Sequence, residues 1–366
     1  MTTGLYIHIP FCKQKCNYCD FASFAGRENL ISAYLEALDK SAAVSPARKY
    51  TTLYIGGGTP SLLSAGQLDG LCGLIARHFC PISTFEESTI EANPESLTAE
   101  KLSVLKRAGF SRISMGLQSF SDTELKTLGR VHTVQTFLSA YQAARQAGFD
   151  NINVDLIAGV PGQSLQSFLD GLKKVATLRP EHLSVYGLQI EEGTPFFERG
   201  IVCDQMLMRQ MLEDTHAYLQ EAGYHHYEIS NFALPGREAK HNTSYWHNCE
   251  YLGLGSGAAS YLGGVRSQNT DNITDFIARI NAGQSPVVYR EKLEGKEHEG
   301  ENLMLGLRLL DGIELTPLQE QLFGQEIEKH IQNGLLERAE KKVKLTIEGL
   351  FLANEVFYSF VAPFDE

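Results

Sequence analysis

Three of the seven cysteines crowd into eight positions, Cys12, Cys16 and Cys19, in the pattern C-x3-C-x2-C. Thiolates at such spacing ligate iron–sulfur clusters or zinc. A tetrahedral structural zinc normally takes four protein ligands. Three thiolates instead suit a cubane [4Fe–4S] with one iron left open, and an open iron can bind a small molecule. His8 is a conceivable fourth ligand, but it lies within a predicted strand. A zinc knuckle or three incidental thiols stays compatible with the spacing alone. Cys72, Cys80, Cys203 and Cys249 are scattered and read as packed thiols.

The elements that must position these residues alternate between short β-rich runs and helical patterns. Strands are expected at Leu5–Ile9, Leu53–Ile55, Thr89–Ala92, Arg112–Leu117, Ile152–Ile157 and Leu183–Leu188, with a weaker seventh at His226–Ile229. Leu165, Phe168, Leu169, Leu172, Val175 and Ala176 form one helical apolar face. Ser64 with Gln67, and Ser121 with Glu124, read as capping boxes. Strands alternating with helices imply parallel βαβ units, six or seven of which can close or nearly close a barrel. Chemistry then belongs at the C-terminal ends of the strands. The unusual residues do fall there: Cys12 after strand one, Gly56-Gly57-Gly58-Thr59-Pro60 after strand two, Glu91 closing strand three, Gln118 closing strand four, Asp155 on strand five and Gln189 near strand six.

After about residue 235 the pattern changes. A Gly-rich stretch occupies 252–260. The tail from about Glu291 has helices around Glu299–Leu310 and Pro317–Phe323, a hairpin at Leu336–Leu345 and a last helix at Ile347–Phe357. The expected organisation is a barrel core over 1–235, a connecting region over 236–290, and a winged-helix-like α+β domain over 291–366.

The chain has 366 residues, 43% hydrophobic and 21% charged, as in an ordinary globular protein. Its net charge is −12, from 44 acidic and 32 basic residues, which argues against nucleic acid as a partner. No apolar run is long enough to span a bilayer, and the first ten residues lack a basic segment leading into a long apolar one. A cytoplasmic, thiol-reducing location is expected.

The cysteine motif, with Tyr18 before the third cysteine, and the Gly-Gly-Gly-Thr-Pro run resemble the signatures of the radical S-adenosylmethionine (SAM) superfamily. The resemblance implies an α/β fold, a partial (β/α)6-type barrel with the C-terminal α+β domain. It also implies a [4Fe–4S] cluster on Cys12, Cys16 and Cys19 and SAM chelating the open iron. Gly57, Gly58 and Thr59 would approach the methionine moiety. Tyr6, Glu91, Gln118, Arg130 and Asp155 match polar SAM-contacting positions of the porphyrin-related branch, and Gln189 a backbone contact. Without that match each is a rim group, and Arg130 a surface charge.

The opening Leu5-Tyr6-Ile7-His8-Ile9-Pro10-Phe11-Cys12 resembles the branch of oxygen-independent coproporphyrinogen III dehydrogenase, which carries a further cysteine where this chain has Phe21. C-x3-C-x2-C-x-F together with His241-Asn242-Thr243-Ser244-Tyr245-Trp246 resembles the HemW-type haem chaperones. That resemblance implies haem binding, with His241 as a candidate ligand presented by a C-terminal region covering the barrel mouth. It also implies delivery to haem-requiring proteins, respiratory enzymes among them. It assigns no residue a catalytic role of its own. An electron donor is needed if SAM is cleaved, and a homodimer and peripheral membrane contact are open. The alternatives are a coproporphyrinogen III decarboxylase and an RNA-modifying enzyme. Met206, Met208 and Met211 read as helix packing rather than haem ligands.

Overall fold

The computed structural model describes residues 3–363. Its main sheet has twelve strands. In chain order these are β1 (Gly4–Ile9), β2 (Thr52–Gly57), β3 (Glu87–Ala92), β4 (Arg112–Gln118), β5 (Ile152–Ala158), β6 (His182–Gly187), β7 (His225–Glu228), β8 (Asn231–Ala233), β9 (Tyr251–Leu254), β10 (Ala259–Leu262), β11 (Val265–Asn269) and β12 (Val287–Glu291). Their spatial order is β12-β11-β10-β9-β1-β2-β3-β4-β5-β6-β8-β7. The run from β9 to β6 is parallel throughout. The strands beyond it on either side are antiparallel. The barrel is therefore partial, and all six principal strands stand where the sequence puts them.

Alternation along each strand separates two environments. Leu5, Ile7 and Ile9 of β1, Leu53 and Ile55 of β2, Ile113, Met115 and Leu117 of β4, and Val154 and Leu156 of β5 are buried in one large core beneath the outer helices. The intervening positions are polar. Tyr6, Tyr54, Thr89 and Arg112 form one row in register, and Glu91, Ser114, Asn153 and His182 form the next. The outer face thus supplies the hydrophobic drive, and the inner face is free to carry chemistry.

The helix over Leu165–Thr177 buries Phe168, Leu172, Val175 and Ala176, as its periodicity requires. The Ser64–Gln67 capping box forms in full. The Ser121–Glu124 box forms only half. Ser121 caps the Glu124 amide, but the Glu124 carboxylate is drawn inward to accept from Ser119, Gln163 and Ser167.

Two expectations are corrected. The weak seventh strand exists as β7, but it lies at the sheet edge and pairs with β8 antiparallel rather than extending the parallel run. Residues 236–290 do more than connect. They contribute β9 to β12, and β9 lies parallel to β1. The Gly-rich stretch makes this possible: a Cβ on Gly253 would sit 1.9 Å from the Ala259 carbonyl oxygen.

The tail has its own small core of Leu303, Leu307, Phe323, Ile327, Leu336, Val343 and Phe360, among others. It contains a three-stranded sheet. The first of its helices starts at Gly295, the second continues to Gln332, and the last divides into Ile347–Phe351 and Ala353–Tyr358. Among the described residues, no helix is long and apolar enough to cross a membrane.

Candidate functional site

The cluster loop leaves β1 at Pro10 and is stapled to the rim at several points. Asn17 donates from its backbone to Leu128 O and from its side chain to Thr127 O. Gln14 donates to Gly129 O, and the Phe196 amide to Asn17 O. Gly129, at φ +77°, caps its helix and lets Asn17 pack directly on it. Tyr18 joins the apolar group of Leu128, Ile157, Val160, Leu188 and Phe196, so the aromatic of the motif anchors the loop. The thiols are the polar tips of this loop. Thr59 Oγ1 donates to Cys12 Sγ at 3.5 Å, Arg130 Nη1 to Cys16 Sγ at 3.7 Å, and Cys19 Sγ lies 3.8 Å from Ser23 Oγ. Burial pushes the Cys12 and Cys16 thiols up; Thr59 and Ser23 oppose this at Cys12, and Arg130 at Cys16.

No group of three or more His, Cys, Asp or Glu among the described residues is gathered closely enough for a single metal ion. Three thiols on one short loop, within electrostatic reach of one another, are by their chemistry the donors an iron–sulfur cluster takes. His8 is not available as a fourth ligand. Its Nε2 donates to Ala22 O at 2.8 Å, and its Nδ1 accepts from Tyr6 OH at 2.9 Å.

The glycine run is explained by its neighbours. A Cβ on Gly57, at φ +110°, would sit 2.4 Å from the His8 ring; one on Gly58 would sit 2.8 Å from Phe11 O. These glycines let β2 lie against the start of the cluster loop, where Gly58 N donates to Ile9 O and Thr59 N to Phe11 O.

Glu91 accepts from Tyr54 OH at 2.7 Å and from Gly57 N at 3.1 Å. Burial raises its pKa to about 7, with Asp155 adding to the rise while Tyr54, Gly57 and Arg112 oppose it. Asp155 accepts from Asn153 at 2.7 Å, and burial holds its carboxyl above the usual range. Arg130 Nη2 donates to Asn93 Oδ1 and Gly116 O, so it spans the mouth from β3 to the cluster loop. Gln118 has φ +74°, beside a register shift between β4 and β5. A non-glycine residue in that region is strained, and such strain concentrates at functional sites. Gln189 is exposed on the loop after β6. Tyr6, Tyr18, Gly57, Gly58, Thr59, Glu91, Gln118, Arg130, Asp155 and Gln189 are thus placed along the inner face and upper rim.

His241 is elsewhere. It belongs to a helix over Lys240–Trp246 whose ring side packs into the strand starts. Its Nδ1 lies 2.9 Å from Thr52 Oγ1, the first residue of β2, and its Nε2 lies 2.8 Å from Tyr245 OH. Its ring stacks on Tyr54, and Glu87 at the start of β3 accepts from the Lys240 and His241 amides. The five residue steps along β2 from Thr52 to Gly57 span about 16 Å, so the HNxxYW helix plugs the barrel floor, opposite the cysteines. The expectation that the C-terminal region presents His241 at the mouth is corrected. The imidazole is fully buried and neutral, its pKa lowered to about 3 by burial and by Arg112, and both ring nitrogens are engaged. Trp246 lies beneath the Arg308 guanidinium at 4.2 Å.

Residues 6–175 match the radical SAM superfamily and residues 293–352 the HemN C-terminal domain. Over 97% of its length the chain is 37% identical to the heme chaperone HemW of Bacillus subtilis, 98% of which is covered. The chain belongs to the HemW heme chaperone family. The Escherichia coli member is 36% identical over 98% of both chains. Coproporphyrinogen III oxidase (HemN) from Escherichia coli, described as a radical SAM enzyme, shares the fold with a TM-score of 0.86, over 99% of this chain and 90% of that one, at 25% identity. This chain thus carries, on a HemN-like framework, both the cysteine loop at the mouth and the HNxxYW helix at the floor.

Three contributors to the site escaped the sequence reading: Tyr54, Asn93 and Arg112. Tyr54 and Arg112 occupy alternate positions of strands whose other face is apolar, and that alternation was the available signal.

Proposed function

We propose that this chain binds haem and delivers it to haem-requiring proteins, with a [4Fe–4S] cluster and SAM held in the barrel mouth. The observation that carries the reading is the near full-length similarity to proteins named as heme chaperones. Cys12, Cys16 and Cys19 would hold the cluster. Thr59 and Arg130, which donate toward the first two sulfurs, favour their thiolate forms. Glu91, fixed by Tyr54 and Gly57, suits the SAM ammonium. Asp155, Gln118, Arg130, Tyr6 and the backbone at Gly57, Gly58, Thr59 and Gln189 would supply the remaining polar contacts. When bound, the cluster supplies an electron and SAM a cleavable sulfonium. The protein orients them and limits water.

His241 has no free ring nitrogen for iron where it stands. The haem surface we favour is the upper rim. Phe21, Val131, Tyr186, Phe197, Val202 and Met206 are all exposed there, on the cluster loop or at and beyond the strand ends. Isolated exposed apolar residues are ordinary, whereas a set at one rim fits a porphyrin face. Met206 is free of the packing that holds Met211 in the core and Met208 against Gly159 and Gly187. Recipients would be haem-requiring proteins, respiratory enzymes among them.

The test is an anaerobic haem titration of the cluster-loaded protein, read at the Soret band, with Phe197→Ser, Met206→Ser and His241→Ala alongside. Saturable binding weakened by the rim variants and retained by folded His241→Ala supports both parts. Binding weakened only by His241→Ala moves haem to the HNxxYW helix. Absence of saturable binding, with turnover of coproporphyrinogen III, would replace the chaperone by the decarboxylase.

A further inference from the structure

Arg112 opens β4 and is only 2% exposed. Among the described residues its guanidinium has no ion pair within 4 Å and no hydrogen bond, and its Nε is a buried donor without an acceptor. Thr89, its register partner on β3, carries another buried polar atom without a partner, Oγ1. A buried charge with no direct partner is expensive and persists only where the surrounding field compensates it.

That field is visible in the strand register. Arg112 shares a row with Tyr6, Tyr54 and Thr89. Glu91 and Ser114 stand in the next row, about 7 Å toward the mouth, and Asp155 stands in the row after, opposite Gly116. The groups facing Arg112 are Glu91 from β3, Asp155 from β5, Tyr54 from β2, His182 from β6, Tyr227 from β7 and His241 from the floor helix. Both imidazoles are neutral: burial lowers their pKa values, and Arg112 lowers them further. The tyrosines are phenols. The carboxyls left to answer the charge are Glu91 and Asp155 on its mouth side and Glu87, one row below on β3, whose oxygens already accept from the Lys240 and His241 amides. Arg130, the other arginine that favours the Asp155 carboxylate, stands at the mouth, where it is held by Asn93 and Gly116.

We infer that Arg112 is a positioning residue, the fixed counter-charge in the barrel floor that keeps Glu91 and Asp155 as carboxylates for the SAM site above it. The inference rests on the assignment of Glu91 and Asp155 to SAM in the preceding section. It goes beyond that assignment by naming what sustains their charge. Arg112 touches neither SAM nor the cluster in this scheme. It acts through the low-polarity interior, where a charge one row away is weakly screened. It also explains why the floor must be plugged: water entering beneath Arg112 would screen it from both carboxyls.

The test is equilibrium dialysis of SAM against the cluster-loaded, full-length protein between pH 6 and 9. Wild type, Arg112→Gln, Arg112→Lys and Glu91→Gln are compared. In the wild type, affinity rises with pH through the ionisation of Glu91, near 7. In Arg112→Gln the rise moves upward by about one pH unit, so binding is about fivefold weaker at pH 7 and recovers by pH 9. Arg112→Lys restores the wild-type midpoint. Weakening that is equal at every pH in Arg112→Gln, or no weakening at all, overturns the inference. If Arg112→Gln does not fold, Arg112→Lys decides. An unmoved midpoint supports the counter-charge, and a loss independent of pH makes the role one of shape and overturns it. Glu91→Gln separates the two readings. A flattened profile keeps Glu91 at SAM, whereas a wild-type profile removes Glu91 from SAM and leaves the field of Arg112 to be read from the Asp155 ionisation.

Discussion

Glu91 shows how one residue serves two demands. In the chain without ligand its pKa is raised, to about 7, chiefly by burial. A carboxyl with a raised folded-state pKa contributes stability below the unfolded value, near 4.5, and loses it as pH climbs through 7. Glu91→Gln should therefore stabilise the SAM-free protein at pH 8, by roughly 1–3 kcal/mol, and change little at pH 5. Urea unfolding at the two pH values reads this directly. The same variant should bind SAM at least about tenfold more weakly at pH 8, since a charge-assisted contact is lost. His241 reads the opposite way. Removing its ring strips two buried hydrogen-bond partners, Thr52 and Tyr245, and opens a cavity. His241→Ala should cost about 2–4 kcal/mol in calorimetric unfolding, while haem affinity of the folded variant holds within about twofold.

The end of β2 and the cluster loop behave as one element. Gly57 combines a left-handed φ with a neighbouring imidazole that occupies the place of a side chain. Gly57→Ala should cost about 2–4 kcal/mol through strain and overpacking. It should also displace His8, whose Nε2 holds the loop at Ala22, so cluster content measured by iron and sulfide should fall well below wild type. Gly66, with open space around it on an outer helix, is the control: Gly66→Ala should be neutral or slightly stabilising. The glycine run was legible in the sequence as a site feature. Its reason was not, because the clash partners, His8 of β1 and Phe11 of the cluster loop, lie more than forty residues away in the chain.

The C-terminal unit and the barrel floor form one structural dependency across the whole molecule. Arg308 lies over Trp246 and 3.9 Å from the buried Glu228. Arg266 and Asn248 reach Glu301, and Leu310 N donates to Tyr227 O. Burial holds the Glu228 carboxyl above its usual range, and Arg308 opposes that rise. Arg308→Ala should remove both the ring contact and the counter-charge, costing about 2–4 kcal/mol. Hydrogen exchange should then quicken first at the amides of 240–246, while those of β3 and β4 stay protected. Equal quickening throughout would mean that the unit stabilises the barrel generally rather than clamping its floor.

The sequence by itself determined what depends on nearest neighbours and periodicity. The six principal strands are short β-rich runs bounded by turns, and each is found within a residue or two of its expected place. The cysteine triad and the polar residues at strand ends follow from the same reading, because parallel βαβ units bring those ends to one rim. The tertiary structure decided what depends on which segments meet. His241 and the cysteines look alike as motifs, yet the chain returns from β8 beneath the strand starts and places them about a barrel's depth apart. Residues 236–290 read as a connector because their strands are short and Gly-rich, and only the open edge of β1 makes β9 a strand. Arg112 reads as an ordinary charge opening a strand. It becomes the centre of the floor only when seven strands curl and turn their inner faces toward it.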